Sequence, residues 1–271
     1  MPTFAAHYMF GREVYKRLSA DLKALIMKDD KSLAFYDVGA QGPDIFFFYP
    51  RPYKTKVSAY GVKLHHSAAY NLFDKAFENM KGQDEETQKE LLVYLFGVCN
   101  HFTLDSCAHP LINKATKTFS EHMLLEAELD RLVIDRYFKN YRKQEYKYRR
   151  QNCLDATIKY GEYLHIVYPE ISAKECQGAV RGTKLCMQGL YSPYFIKGAA
   201  LKTLCKGFAR GNDFSKMIIR KKTNHTFDDI NFTIMADWAA YIELGVKNIT
   251  NLYNFYLGKA RLSEYFTKDF E

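Results

Sequence analysis

Six of the eight histidines, His7, His65, His66, His101, His109 and His122, fall in the first 122 residues, and only His165 and His225 follow. His101, Asp105 and His109 stand four residues apart. On a helix such side chains lie about 40° apart around the axis and about 6 Å apart along it. The spacing predicts that all three share one face. His122 and Glu126 repeat the interval, and the short connection over 110–117 favours an antiparallel neighbour. Imidazole nitrogen and carboxylate oxygen hold Zn²⁺ at about 2.0–2.2 Å, and two facing ladders offer more ligands than one ion needs. A carboxylate such as Asp105, with histidine on both sides, can give one oxygen to each of two ions about 3.5–4 Å apart. A lone His-xxx-Asp on a helix is usually a surface hydrogen-bonded pair. The ordered set, with further His and Asp upstream, predicts a metal centre holding more than one ion.

Those residues sit in recognisable local sequences. His7 lies in Pro2-Thr3-Phe4-Ala5-Ala6-His7-Tyr8 and Asp44 in the turn Gln41-Gly42-Pro43-Asp44. They are followed by Leu64-His65, His101-Phe102-Thr103-Leu104-Asp105, His109-Pro110 and Glu121-His122 with Glu126. Over roughly residues 2–135 the chain resembles the zinc-dependent phospholipase C family, which is related to the P1-type zinc nucleases. The resemblance implies an all-α fold of that type, with a zinc cluster that cleaves phosphodiesters. It implies that Asp44, His65, His101 and Asp105 hold one zinc, that His109, His122 and Glu126 hold a second, and that His7 with Asp105 holds a third. Two or three Zn²⁺ ions are therefore expected. The choice between the adjacent His65 and His66 favours His65. In the family the counterpart of Asp44 is also the proposed general base. Secreted relatives complete the third site with a mature N-terminal tryptophan, which has no counterpart here. Their choline-headgroup box has a tyrosine where this chain has Ile45, so phosphatidylcholine specificity does not carry over.

The chemistry expected of such a cluster is phosphodiester hydrolysis. Zinc ions neutralise the phosphate, lower the pKa of a bound water toward ~7 and steady the leaving alkoxide. Asp44 would orient or deprotonate the water. The expected substrate is a phospholipid or another phosphodiester, with peripheral contact to a membrane surface. Two rivals use the same ligands: a P1-like nuclease that binds nucleic acid, and a non-catalytic helical protein whose metals brace its core.

The elements that must position these groups are helices. No stretch alternates as a strand does, whereas apolar residues recur at intervals of three and four. Helices are expected over 10–27, 62–80, 86–108 and 118–141, with a loop over 39–52 where Gly42, Pro43 and Pro50 interrupt. Pro110 is expected to close the third helix, and Thr118 with Glu121 to open the fourth as a capping box. Helices near 154–168, 173–188, 195–208 and 228–258 complete a single all-α domain over 1–271, packing against a metal cluster built from about 2–135. Residues 141–150 form a basic, tyrosine-rich run, best read as a solvated face whose long stems cover apolar surface. Phe46, Phe47, Phe48 and Tyr49 are expected in the core. His165 is read as a core or boundary residue and His225 as a loop residue.

With 271 residues and 47% apolar content the chain can bury a substantial core without disulfides, and 21 Tyr with 20 Phe exclude a disordered chain. The net charge of +8 suits phosphate-bearing partners without specifying one. Residues 1–10 carry no secretory signal pattern, so a cytoplasmic location is expected. In that compartment Cys99, Cys107, Cys153, Cys176, Cys186 and Cys205 are read as reduced, buried small residues. An apolar stretch such as 45–49 is far short of the ~18 residues a spanning helix needs, and no transmembrane segment is expected.

Overall fold

A helix of 31 residues, α6 (Glu85–Ala115), runs through the centre of the protein. At about 1.5 Å per residue it is some 46 Å long. Asp84 caps its first turn by accepting from the Thr87 amide at 2.9 Å, and Glu85 and Glu86 complement the positive end of the helix dipole. From Leu91 to Phe96 every residue is apolar and buried, so this segment is covered on all sides rather than along one stripe. By length and composition α6 could cross a membrane, but 94% of its most apolar window is buried by the other helices. It is the core helix.

The computed structural model describes residues 4–50, 55–137, 158–190, 200, 203, 215–219 and 225–271. Before α6 come α1 (Phe4–Arg17), α2 (Ala20–Ile26), α3 (Asp30–Gly39), a 3-10 helix at Gly42–Phe48, α4 (Lys56–His65) and α5 (Ala69–Met80). After it come α7 (Phe119–Tyr137), α8 (Tyr160–Val167), α9 (Ala173–Leu190), α10 (Asp228–Ala236), α11 (Trp238–Tyr256) and short 3-10 helices at Ser215–Met217 and Glu264–Thr267. Among the described residues the fold is all-α, as expected, with only an isolated bridge at Ile219.

Helix α6 is flanked by α3 and α11, while α1 packs against α6, α7 and α11. The α3 contact is unusually close. A methyl group on Gly97 would overlap the Tyr36 carbonyl, and one on Gly39 the Tyr94 carbonyl, so two glycines let the backbones meet. The chain that leaves α3 is thereby delivered directly onto α6. The Gly42–Phe48 segment also packs against α4 and α9, and there Phe46 and Phe48 are buried in the core as expected, with Phe47 half-buried.

Several boundaries differ from the sequence expectation. The helix expected over 10–27 is two, because the Ser19 hydroxyl accepts from the Leu22 amide and starts α2. Helix α3, which falls between the expected helix and the expected loop over 39–52, begins where Asp29 accepts from the Ser32 amide at 2.7 Å. The helix expected over 62–80 is divided between α4 and α5. Pro110 does not close α6, which continues to Ala115. That proline is exposed, where solvent can replace the lost backbone bond. The span 228–258 breaks at Asp237 into α10 and α11. Expectations for 141–150, and for 195–208 apart from residues 200 and 203, lie outside the described residues, as do Cys153 and Cys205. Cys99 and Cys176 are buried, and Cys107 and Cys186 are partly buried.

Candidate metal centre

Four backbone arrangements bring the eight candidate residues to one end of the interior. Helix α1 starts against α7, where the Ala6 and Ala5 amides donate to the two carboxylate oxygens of the buried Asp130 at 2.8 and 3.1 Å. This fixes His7 within the first turns of α1. Asp44 rides on the 3-10 helix that follows α3. Gly42 has φ of 53°, and a methyl group on it would overlap the His101 imidazole. His65 is the last residue of α4, which opens with a reciprocal cap between Thr55 and Ser58. His122 and Glu126 lie on α7, and its capping box forms as expected. Thr118 Oγ1 accepts from the Glu121 amide at 3.2 Å, and Glu121 accepts from the Thr118 amide at 3.1 Å.

The side chains meet in two groups. His7, Asp44, His101 and Asp105 each present a ligand atom within 4.8 Å of the others, and all four are buried. Asp105 stands between two rings, with Oδ1 3.1 Å from His7 Nε2 and Oδ2 3.0 Å from His101 Nε2. His65 joins this group through Asp44, its Nε2 2.9 Å from Oδ1. His66 instead is exposed, 3.5 Å from the Glu271 carboxylate. The second group is His109, His122 and Glu126, with Glu126 Oε1 2.9 Å from His122 Nε2 and 3.5 Å from His109 Nε2. The ladder on α6 therefore does not serve one face. Eight residues of helix turn about 80°, which aims His101 into the first group and His109 into the second, with Asp105 between them.

A cation fits this donor set. Both oxygens of Asp44, Nε2 of His65 and both ring nitrogens of His101 are buried without a hydrogen bond of acceptable geometry. Buried polar atoms are rarely left so. Burial alone would push the Asp105 carboxyl up, but the surrounding His101, His109 and His7 outweigh it and hold it well below the usual carboxylate range. Asp44 is held low against the same burial by His101 and His65. His109 is pushed up to about 9, its burial overcome by Asp105 and Glu126. The pocket thus concentrates ionised carboxylates that require positive charge, and nitrogen and oxygen ligands of this kind suit zinc. Tautomers are set from behind. His65 Nδ1 donates to the Gly61 carbonyl at 2.7 Å and His109 Nδ1 to the Phe270 carbonyl at 2.8 Å, so in the neutral imidazole, the form that binds a metal, Nε2 is the free nitrogen of each ring.

Two groups at the centre are absent from the sequence reading. Asp130 follows Glu126 at the same four-residue interval that builds the ladders, so the signal was present. Its burial pushes the carboxyl up to about 7, although two backbone amides oppose this. Phe270 lies outside every periodic pattern. His165 and His225 stand apart from the centre: His165 is exposed rather than in the core or at its boundary, with its Nδ1 donating to the Ile171 carbonyl at 2.7 Å, and the exposed His225 lies in a loop as expected, beside Asp228 at 3.0 Å.

The fit of Gly42 yields a direct expectation. Gly42→Ala places a side chain in a left-handed conformation that costs about 1–2 kcal/mol and also drives it into His101. It should lower the melting temperature and reduce bound zinc per chain, measured by metal analysis after desalting. A variant that keeps both would show that the His101 position does not depend on this contact.

Residues 6–172, more than half of the chain, match the family model described as zinc dependent phospholipase C. All eight candidate ligands fall within the match. No curated protein and no solved structure matches the chain.

Proposed function

The chain belongs to the zinc-dependent phospholipase C family, and from that premise we infer that it is a zinc-dependent phosphodiester hydrolase acting on a phospholipid or a related phosphodiester. The supporting observation is the set of buried atoms on Asp44, His65 and His101 that lie close together without a hydrogen bond of acceptable geometry. Both Asp44 oxygens face the Nε2 atoms of His65 and His101, where a cation could be held between them. Asp44, His65, His101 and Asp105 would hold one zinc, His109, His122 and Glu126 a second, and His7 with Asp105 would complete a third. When bound, the ions supply positive charge that neutralises a phosphodiester and acidifies water at neutral pH.

The protein's own residues do the rest. Asp44, ionised at neutral pH, offers a carboxylate oxygen that orients water and accepts its proton. His65 and His109, fixed by their carbonyl partners, keep their Nε2 atoms in place without reorganisation during the reaction. Asp105 keeps His7 and His101 at a fixed separation. A peripheral encounter with a lipid surface would deliver a phospholipid.

One observation favours a second reading. The first group is almost wholly enclosed, with Asp44 and His65 each 1% exposed and His101 fully buried, and structural zinc sites are closed where catalytic ones keep an open position. In the second group the His122 side chain is 18% exposed, and a small cavity lined by Phe4, Met123, Glu126, Asp130, Met217 and Ile219 adjoins it. That opening suits a catalytic centre.

Metal content and hydrolysis measured together decide between the readings. Protein purified without chelator should carry zinc and cleave bis-p-nitrophenyl phosphate. It should also release diacylglycerol and a phosphorylated headgroup from a soluble short-chain phospholipid, and EDTA should abolish both activities. Chelation should also lower the melting temperature, since a ligand at 1,000 times its Kd adds about 4 kcal/mol to the folded state. Zinc without hydrolysis would support the bracing role. Cleavage of single-stranded DNA that falls steeply with salt would support a nuclease, because strand binding releases counterions. A chain without metal, melting identically in EDTA, overturns the metal centre itself.

A further inference from the structure

The segment after α11 returns to the metal centre from outside the region that matches the family. It is anchored on the way. Tyr265 places its hydroxyl 2.8 Å from Ser106 Oγ on α6. Phe266 is fully buried, with its ring against Phe73 and Phe102. The Lys268 carbonyl accepts from the Ala69 amide at 2.9 Å, at the start of α5. Phe270 then enters the interior and is 1% exposed.

Phe270 touches candidate ligands of both groups. Its amide donates to the His65 carbonyl at 3.0 Å. Its carbonyl accepts from His109 Nδ1 at 2.8 Å. Its ring centroid lies 5.7 Å from that of His65 and 5.9 Å from that of His101, and 5.2 Å from Phe102 below them. A carbonyl can only accept, so Nδ1 of His109 must carry a proton, and in the neutral, metal-binding form of the ring that leaves Nε2 free on the side of Glu126. The ring, wedged against His65, His101 and Phe102, keeps that carbonyl in register. One residue from the last stretch of the chain thus joins α4 to α6 across 161 residues of sequence and links the two groups.

We propose that Phe270 is a positioning residue of the metal centre: its main-chain carbonyl fixes the metal-binding tautomer of His109, and its ring sets the His65 and His101 imidazoles against each other. The proposal rests on the zinc reading above. Partners behind a ligating histidine typically contribute a factor of about 10–100 in metal affinity, and that is the scale of effect expected. The role differs from that of Phe266, which lies in the same segment but contacts no candidate ligand ring.

The test compares Phe270→Ala, Phe270→Leu, a chain ended after Asp269, and Phe266→Leu as the packing control. Zinc affinity is read by competition with a chromophoric chelator, the ligand geometry by the visible absorption of the cobalt-substituted protein, and stability by melting. Phe270→Ala and the shortened chain should bind zinc about 10–100-fold more weakly and shift the cobalt bands. The main-chain carbonyl is present in both side-chain variants, and Phe270→Leu, which retains most of the packing that holds it in register, should recover most of the affinity. Phe266→Leu should melt lower yet keep wild-type affinity and cobalt spectrum. Wild-type affinity and spectrum in Phe270→Ala overturn the proposal. So does a Phe266→Leu chain that loses as much zinc affinity as Phe270→Ala, or a Phe270→Ala chain that does not fold, since either makes the segment merely structural. If the shortened chain alone fails to fold, the Phe270→Ala and Phe270→Leu pair decides. A wild-type chain that binds neither zinc nor cobalt overturns the metal centre and this proposal together, whereas wild-type binding with indifferent variants overturns this proposal alone.

Discussion

Asp105→Ala should lose more zinc per chain than any other single substitution at the centre, and more than His122→Ala in particular. The two oxygens of Asp105 face different rings, His7 at 3.1 Å and His101 at 3.0 Å. His109 adds to the positive field on the same carboxylate. A carboxylate so placed can serve two ions at once and shield each from the other's charge. Its removal leaves Asp44 as the remaining carboxylate of the first group. His122 meets only members of the second group, Glu126 and the His109 ring, and is partly open to solvent, so its loss should disturb one ion. Removing one partner from a buried charged set costs about 3–5 kcal/mol. At about 2 °C per kcal/mol for a chain of this size, Asp105→Ala should melt about 6–10 °C below wild type. Zinc per chain and melting temperature at equal protein concentration test this. If Asp105→Ala keeps as much zinc as His122→Ala and melts no lower, the two groups do not share a carboxylate.

The candidate ligands on α6 and α7 were legible because they lie on helices, where an interval of four is a geometric statement. His101 and Asp105 on α6, and His122 and Glu126 on α7, meet as the interval predicts. What the interval conceals is rotation. Over eight residues the ladder turns far enough that His109 leaves the face of His101 and joins α7 instead. His65 could be preferred to His66 only through the resemblance, yet the structure separates them cleanly, one buried beside Asp44 and the other exposed beside Glu271.

Where the reading failed, competing physics was at work. Asp29 caps α3 only three residues after α2 ends, so the sequence shows the end of one helix there but not the start of the next, and α3 goes unassigned. A proline on an exposed face forfeits one bond that solvent can replace, so Pro110 did not stop α6. Phe270 was invisible for a deeper reason. Its part depends on main-chain groups of its own and on partners 161 and 205 residues away, at His109 and His65, and no local period encodes such contacts. The α3 crossing lies between these cases. Gly39 and Gly97 are ordinary residues in sequence, and only the packed backbones reveal that any side chain there would force α3 and α6 apart.

Asp44→Asn should separate metal holding from catalysis. Both Asp44 oxygens lie among imidazoles, Oδ1 2.9 Å from His65 Nε2 and Oδ2 3.6 Å from His101 Nε2, and neither forms a hydrogen bond. Asparagine keeps one oxygen in nearly the same place, so a ligand of several survives in weakened form. It cannot accept a proton, and its neutral amide removes the charge that orients water. Loss of a general base typically costs a factor of about 10²–10⁴ in rate. The variant should therefore retain most of its zinc, hydrolyse bis-p-nitrophenyl phosphate at least about 100-fold more slowly than wild type, and melt close to it. The rate comparison belongs at saturating zinc, so that partial metal loss does not pass for lost chemistry. Unchanged turnover would refute the base role and move Asp44 among the ligands alone. Loss of zinc in proportion to the lost rate would do the same from the other side, since rate restored by added zinc would mean that the carboxylate acts only by holding metal.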